Sequence, residues 1–281
     1  MIVEPSPART RELVRERRRR GQQIAVVPTM GALHAGHVSL VEAARGECDY
    51  VVATIFVNPT QFAPGEDYEK YPRTLEDDLA RCEAAGADLV FTPQTSAMYA
   101  DDAQTTVVVS ELTRVLEGAH RPSHFDGVTT VVAKLFHITE PDRAYFGQKD
   151  FQQQLIIRQM VRDLDFGLQI VTCPIIRESD GLAMSSRNRY LTATQRQQSL
   201  ALSQALTHAD QRAREGVSAE EIQQQMRQIL GDAPGVELDY AVVVNTATLR
   251  EPTGDESAVV ALVAARVGDT RLIDNQILQL R

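Results

Sequence analysis

The sequence is poor in cysteine, and the three cysteines that it has, Cys48, Cys82 and Cys173, lie far apart. An odd number of scattered thiols forms neither a disulfide framework nor a compact zinc site. We therefore expect free thiols and a cytoplasmic location. The 281 residues also lack an apolar run of membrane-spanning length, and the first ten lack the apolar segment of a signal peptide. We expect no membrane partner.

The sequence also has fewer positive than negative side chains: there are 29 Lys and Arg residues against 38 Asp and Glu residues, and the net charge is −9. This balance argues against a general affinity for nucleic acid. The exception is the run RELVRERRRR at residues 11–20. We interpret this run as the solvated face of an N-terminal helix that turns Leu13 and Val14 inward.

Apolar stretches that alternate with helical patterns predict an α/β fold with a Rossmann-like parallel sheet in the first part of the chain. Strands are expected at residues 24–27, 50–57, 87–91, 105–109, 143–146 and 168–173. After Pro174 the pattern changes to two helices within 192–230 and strands at 238–244, 258–267 and 270–273. We therefore predict a Rossmann-like domain at 1–175 and a smaller α+β domain at 176–281.

The stretch at residues 24–40, IAVVPTMGALHAGHVSL, predicts a buried strand, a turn and the start of a helix. A helix N-terminus binds anions well, and Gly36 would let a phosphate approach the backbone. His34 and His37 would donate hydrogen bonds to its oxygens. Two other interpretations remain: a structural histidine pair, or a zinc site. The other candidate zinc ligands, His120, His124 and His137, form no tight cluster in sequence.

Polar motifs follow further predicted strands. Asn58 and Gln61 carry amides that suit the hydroxyls and carboxylate of a small substrate, although a simple polar turn explains them too. Lys149 would offer a point charge to phosphates, and Asp150 would either cap a helix or accept hydrogen bonds from ribose. The loop at 180–188 supplies two hydroxyls and a guanidinium that suit a polyphosphate: Ser185, Ser186 and Arg187.

Two further groups of polar residues are weaker candidates. Arg121 and His124 in RPSHFDGV are placed to face a phosphate or a substrate. Asp77 and Asp78 lie in a predicted helix at 75–85, and Mg²⁺ that accompanies ATP favours carboxylates and water. We name Asp77 as a candidate metal ligand, with an exposed helical face as the alternative.

Several of these motifs resemble those of a known family. PTMGALHAGH resembles the H-x-G-H signature of nucleotidyltransferases and class I tRNA synthetases, and MSSRN resembles their mobile K-M-S-K-S-type loop. GQKDFQQ at 147–153 is similar to a G-E-K-D-x-x-Q motif, with Gln148 in place of the usual glutamate. From residue 24 to about Asn275 the chain resembles the pantothenate synthetases, or pantoate–β-alanine ligases.

That resemblance implies a homodimeric, cytoplasmic ligase that uses ATP to join (R)-pantoate to β-alanine through pantoyl adenylate, releasing AMP and pyrophosphate. Gln61 and Gln153 would bind pantoate, with Asn58 beside them. The implied ATP-binding residues are Met30, Gly31, His34, His37, Gly147, Lys149, Asp150, Ile176, Met184, Ser185, Ser186 and Arg187. Two alternatives stay open: a nucleotidyltransferase that keeps the nucleotide in its product, and a non-catalytic nucleotide-binding protein. A tRNA synthetase is disfavoured because the chain is short and acidic.

Overall fold

The computed structural model describes residues 1–280, which divide into two compact units. The first comprises residues 1–148 and 152–174, and the second comprises residues 149–151 and the described residues from 175 onward. The short segment at 149–151 therefore groups with the second unit, which the boundary predicted from sequence did not anticipate. Within residues 1–280, no helix combines the length and apolar character that crossing a bilayer requires.

The first unit is built on a six-stranded sheet in which every strand pairing is parallel, in the order β1-β4-β3-β2-β5-β6. The predicted fold class is thereby confirmed. The strands are β1 (Ile2–Glu4), β2 (Ile24–Thr29), β3 (Tyr50–Ile55), β4 (Leu89–Phe91), β5 (Arg143–Gly147) and β6 (Gln169–Cys173).

Seven helices accompany these strands. They are α1 (Pro7–Arg19), α2 (Ala35–Glu47), α3 (Leu75–Ala84), α4 (Thr95–Met98), α5 (Glu117–His120), α6 (His124–Thr139) and α7 (Phe151–Asp163). Short 3-10 turns lie at Pro59–Gln61 and Gln148–Asp150. Helices α4 and α5 have four residues each, too few for the apolar periodicity on which sequence-based prediction depends.

Strand β2 shows why this sheet is covered on both faces. Ile24 and Val26 belong to one apolar core cluster, whereas Ala25 and Val27 belong to another, and all four are fully buried. Successive side chains of a strand point to opposite faces. A strand that is apolar at every position therefore requires a layer on each side, as parallel sheets have.

The sequence interpretation placed the arginines of α1 on a solvated face. In the structure, three of them also bond to the end of α6 and the residues that follow it. Arg15 forms three hydrogen bonds to the carboxylate of Glu140, and Arg18 donates to the Glu140 carbonyl and to Asp142. Arg11 donates to the carbonyl of His137. The C-terminal end of a helix carries partial negative charge, so these arginines stabilise the C-terminal end of α6. Val14 is fully buried, as expected.

The second unit contains two helices and an antiparallel three-stranded sheet. The helices are α8 (Ala193–Arg214) and α9 (Ala219–Gly231), and the strands are β7 (Val236–Asn245), β8 (Ala258–Val267) and β9 (Thr270–Gln279). Strand β9 continues well beyond the predicted end at residue 273, because its partner β8 pairs with it over ten positions, from Val267 with Thr270 to Ala258 with Gln279.

The strand predicted at residues 105–109 was wrong. The backbone of Val107 bonds to side chains of α6 instead of a neighbouring strand: its N–H donates to Thr130 Oγ1 and its carbonyl accepts from Thr129 Oγ1. Val108 is 54% exposed. The β-branched composition of TTVVV fits an extended chain, but the hydrogen bonds of this segment are satisfied by threonines about twenty residues away.

Candidate functional site

The turn between β2 and α2 brings two histidines to the start of a helix. Gly31 has φ +80° and the next residue, Ala32, has φ +50°, so two successive residues are left-handed. The chain then becomes extended at His34, which is the N-cap residue of α2. His37 lies one turn further along, and the two imidazole ring centroids are 4.1 Å apart.

Backbone hydrogen bonds define which ring nitrogen carries the proton in each histidine. Gly36 N–H donates to Nδ1 of His34 at 3.1 Å, and His34 N–H donates to Nδ1 of His37 at 3.4 Å. A nitrogen that accepts from an N–H cannot itself carry hydrogen, so each neutral ring is protonated at Nε2. The Nδ1 atoms of the pair therefore cap the helix, and each ring also carries an Nε2–H donor. The structural interpretation and the phosphate-binding interpretation are thus compatible.

The two neighbouring carboxylates of α3 have different surroundings. Asp77 is exposed, whereas Asp78 is 1% exposed and accepts hydrogen bonds from the backbone N–H groups of Ala32 and Leu33. Within residues 1–280, no three His, Cys, Asp or Glu side chains lie close enough together to hold a metal ion. Asp77 thus belongs to no such group of three, and its contact with Mg²⁺ stays a prediction.

Asn58 is fully buried, and its amide is fully used within the protein. The amide nitrogen donates to the Gly127 carbonyl at 3.2 Å and to Gln61 Oε1 at 3.1 Å, and the oxygen accepts from Tyr99 Oη at 2.9 Å and from Thr60. A carbonyl can only accept, so this orientation of Asn58 is unambiguous. Asn58 therefore orients Gln61, and both hydrogens of its amide already have acceptors in the protein. Its contact with a substrate stays a prediction.

The backbone of Gln61 is held by Arg121 and His124. His124 Nδ1 lies 2.8 Å from the Gln61 carbonyl oxygen and therefore donates to it, while its Nε2 accepts from Arg121. Arg121 also forms two bonds with the carboxylate of Glu66 and one with the Gln61 carbonyl. Burial, followed by the charge of Arg121, lowers the pKa of His124 to about 4. His124 is thus a neutral structural link in this structure.

Three consecutive glutamines at the start of α7 have three different surroundings. Gln152 is buried and bonds to the backbone of residues 112, 115 and 117. Gln154 is buried and accepts from Arg158 and Thr172. Gln153 is partly exposed, and no hydrogen bond of its amide to residues 1–280 is present. The amides of Gln152 and Gln154 are thus bonded within the protein, and that of Gln153 is the partly exposed one. The family motif implies that Gln153 binds pantoate, which stays a prediction.

In the second unit, the backbone next to the predicted phosphate-binding lysine is anchored. The Lys149 carbonyl accepts from Nδ2 of Asn275, a residue that is 1% exposed on β9. Lys149 Nζ lies 3.7 Å from Asp150 Oδ1. Asp150 ends a 3-10 turn immediately before α7. The roles of Lys149 toward phosphate and of Asp150 toward ribose therefore stay predictions.

The segment that leads to the predicted polyphosphate-binding residues is a small hairpin. Ile176 and Met184 pair through a backbone hydrogen bond of 3.0 Å, and Arg177 bridges to Ala183. Arg177 forms two bonds of 2.6 and 3.0 Å with the buried carboxylate of Asp274. The hairpin is therefore fixed at its base by a charge-assisted pair, which is among the stronger hydrogen-bonded contacts in proteins.

The hydroxyls and the guanidinium follow that hairpin. Ser185 caps the 3-10 turn Ser186–Tyr190, its hydroxyl accepting from Arg187 N–H at 3.2 Å. Asn188 donates to Glu178 and to the Ala183 carbonyl. The sequence thus brings together Ser185, Ser186 and Arg187 on one short turn, at the end of an anchored hairpin.

Sequence reasoning did not foresee the contacts that hold these groups, although it had named Asp78 as a candidate beside Asp77. Asp78 and Asn275 bond to backbone atoms far away in sequence. Asn188 bonds to Glu178 and Ala183, and it lies within the same polar loop as the predicted phosphate-binding residues. The only sequence signal was the spacing of Asp78 and Cys82, four residues apart on α3 and both buried, which places the carboxylate on the inward face of that helix.

The fold and the first-unit geometry define a class of protein. A doubly covered parallel sheet, with a ligand-competent helix start after a central strand, is the architecture of Rossmann-like nucleotide-binding proteins. The two Nε2–H donors at that helix start suit an anion such as a phosphate.

Comparison with known proteins identifies the family. The family model described as pantoate-beta-alanine ligase matches residues 3–277, and the chain belongs to that family. The resemblance found in the sequence is therefore confirmed.

Individual relatives agree along the whole chain. A pantothenate synthetase of Acidobacterium capsulatum is 55% identical over 263 residues, covering 92% of this chain and 86% of that protein. The crystal structure of pantothenate synthetase from Thermus thermophilus superposes with a TM-score of 0.93 at 44% identity, covering 98% and 99% of the two chains. A pantoate-beta-alanine ligase from Francisella tularensis, complexed with beta-gamma ATP and beta-alanine, gives 0.81 at 33% identity, covering 99% and 97%.

Proposed function

We propose that this chain joins (R)-pantoate to β-alanine to form pantothenate, with cleavage of ATP to AMP and pyrophosphate. The structural observation that supports this most strongly is the pair His34 and His37 at the start of α2, whose Nδ1 atoms accept from backbone N–H groups. The ATP-bound state and the β-alanine of the Francisella tularensis relative agree with the proposed substrates. We further propose a cytoplasmic homodimer.

The first step forms the activated acid. A carboxylate oxygen of pantoate attacks the α-phosphorus of ATP, the bond between the α-phosphorus and the bridging oxygen breaks, and pyrophosphate leaves. The Nε2–H groups of His34 and His37 donate to the α-phosphate oxygens, on which negative charge increases in the transition state. Met30 and Gly31 lie in the preceding turn, where the backbone meets the nucleotide.

The family resemblance assigns the rest of the nucleotide to other residues. Asp150 accepts from the ribose hydroxyls, while Gly147, Ile176 and Met184 contact the nucleoside. The departing pyrophosphate is bound by Lys149, Ser185, Ser186 and Arg187.

The second step consumes pantoyl adenylate. The amine of β-alanine attacks the acyl carbon, loses a proton, and displaces AMP, which retains one oxygen of the original carboxylate. Gln61 and Gln153 orient pantoate for both steps. Mg²⁺ would accompany ATP and neutralise part of the charge of its phosphates, and Asp77 is its predicted contact in the protein.

An isotope experiment tests this route. Pantoate labelled with ¹⁸O in its carboxylate should transfer one label to AMP on each turnover with β-alanine. Without β-alanine, enzyme-bound pantoyl adenylate should accumulate. Formation of ADP and phosphate would contradict the role of the histidines, and a nucleotide retained in the final product would favour a nucleotidyltransferase. No nucleotide turnover with any acid and amine would favour a binding protein.

A substitution tests the two histidines directly. Loss of one preorganised donor typically lowers turnover about 10²- to 10³-fold, so His37→Ala should lower kcat by at least that factor. The variant should remain folded, as judged by its circular dichroism. Near-normal turnover of a folded His37→Ala enzyme would refute the assignment.

A further inference from the structure

We propose that the buried carboxylate of Asp78 is a positioning residue, which holds the turn at Gly31 and Ala32 and thereby places His34 and His37. The inference rests on the proposed function in one respect, since it takes these histidines to act on the α-phosphate. The carboxylate itself lies on α3, 45 residues beyond Leu33 in sequence.

The turn needs support from outside itself. Ala32 has φ +50°, a region that residues with a Cβ atom rarely adopt and that persists only where the surrounding structure holds it. Gly31 precedes it at φ +80°. Two successive left-handed residues reverse the chain between β2 and α2. The N–H of Gly31 donates to Thr29 Oγ1 at 3.2 Å, whereas the N–H groups of Ala32 and Leu33 have their acceptor on α3.

Asp78 supplies that support with both carboxylate oxygens. Oδ2 accepts from Ala32 N–H at 2.9 Å, and Oδ1 accepts from Leu33 N–H at 2.7 Å. Thr74 Oγ1 adds a third donor, to Oδ2 at 3.2 Å. Because Asp78 is 1% exposed, water does not replace these partners. A buried carboxylate with three donors is satisfied, and the left-handed turn is fixed by two of them.

The path from Asp78 to the histidines is short and covalent. Leu33, whose N–H is held, directly precedes His34. The backbone N–H of His34 in turn donates to Nδ1 of His37. A shift of the turn therefore moves the backbone of one histidine and the ring of the other. A misplacement of about 1 Å near reacting groups can lower a rate about 100-fold.

The neighbouring carboxylate provides a contrast. Asp77 is exposed, whereas the hydrogen bonds to the turn come from Asp78. The carboxylate of Asp78 lies directly against the turn, because a Cβ atom at Gly31 would be only 3.0 Å from Asp78 Oδ2. The effect of Asp78 thus passes through the backbone at residues 31–33.

The test is Asp78→Asn, which keeps the shape of the side chain but replaces one acceptor oxygen by an NH₂ group. That group would face an N–H donor, so at least one backbone bond of the turn is lost. We expect kcat per active site, counted by single-turnover formation of pantoyl adenylate, to fall about 100-fold. The KM values for pantoate and β-alanine should stay near those of the unsubstituted protein.

Glu76→Gln is the matched control, because it makes the same change of charge at an exposed position of the same helix. It should leave kcat unchanged. Thr74→Ala removes the third donor and leaves both backbone bonds, so it should lower kcat in the same direction but less. If Asp78→Asn does not fold, Thr74→Ala decides the question by the same measurements.

A second readout does not depend on turnover. In ¹⁵N NMR spectra of histidine-labelled protein without substrates, His34 and His37 should both show the Nε2–H tautomer. Asp78→Asn should shift the Nδ1 signals of this pair and leave those of His124 in place. A folded Asp78→Asn protein with a lower melting temperature, but with unchanged kcat per active site and unchanged histidine signals, would refute positioning. If the histidine variants themselves keep full turnover, the proposed function fails while the NMR shift still tests the contact.

Discussion

A single methyl group added at Gly127 should separate α6 from the turn that carries Gln61. An ideal Cβ atom at this position would lie 2.2 Å from the Thr60 carbonyl oxygen, 2.5 Å from the Thr60 carbonyl carbon and 2.9 Å from Gln61 N. All three are backbone atoms, so no side chain can rotate away. The helix or the 3-10 turn must therefore move by about 1 Å, a displacement that can cost about 100-fold in rate.

The effect on stability combines two terms of opposite sign. Alanine has a higher helix propensity than glycine by about 1 kcal/mol. Overpacking typically costs about 1–3 kcal/mol, and a clash with backbone belongs at the upper end. We expect the free energy of unfolding to fall by about 1–2 kcal/mol for Gly127→Ala. The hydrogen bond from Asn58 to the Gly127 carbonyl, 3.2 Å long, should break.

Kinetics and urea denaturation together measure this prediction. Since Gln61 is proposed to bind pantoate, the KM for pantoate should rise and kcat should fall, while ATP binding changes little. Gly46→Ala is the control, because this helical glycine of α2 has nothing within 4 Å of its Cβ position, and it should be stabilised. A Gly127→Ala protein as active and as stable as Gly46→Ala would refute the close packing of α6 on the turn.

Three further predictions concern other contacts. Because burial lowers the pKa of His124 to about 4, the unfolded chain binds the extra proton between about pH 6.5 and pH 4. The free energy of unfolding should fall as the pH falls through that window, by at most about 3 kcal/mol, and His124→Asn should flatten that part of a pH series of urea titrations. Arg177→Ala leaves the Asp274 carboxylate buried without its partner, which should lower the stability of the second unit by about 3 kcal/mol in urea denaturation, whereas Arg189→Ala, at an exposed position, should have little effect. Saturating Mg-ATP should slow tryptic cleavage after Arg187, and equal cleavage with and without nucleotide would contradict a loop that closes over ATP.

The sequence was sufficient where a local pattern determines local structure. The β-branched run at 24–27, the glycine at 31 and the amphipathic segment after His37 predicted a strand, a turn and a helix, and all three are present. Alternation of such units predicted the parallel sheet. The two helices after residue 192 were also predictable, because Gly216 and Ser218 separate them and the cap of α9 is Ser218.

The sequence was insufficient where a side chain finds its partner far along the chain. Asn58 resembled a ligand-binding residue, yet its donors are used by Gly127 and Gln61, and the first of these is 69 residues away. The TTVVV segment has strand composition, but threonines of α6 satisfy its backbone. Composition indicates which conformation a segment tolerates, whereas the contact that selects the conformation depends on tertiary structure.

The direction of the hydrogen bonds around Gln61 carries a chemical consequence for the substrate. The Gly127 carbonyl can only accept, so it faces the NH₂ group of Asn58. That NH₂ group also faces Gln61 Oε1, and the end of the Gln61 amide that remains for a ligand is therefore its NH₂ group, a donor. In its proposed role, Gln61 would therefore donate through this NH₂ group to an acceptor, such as a carboxylate or hydroxyl oxygen of pantoate. A backbone carbonyl on α6, far beyond Gln61 in sequence, thus orients the amide that is proposed to bind the substrate.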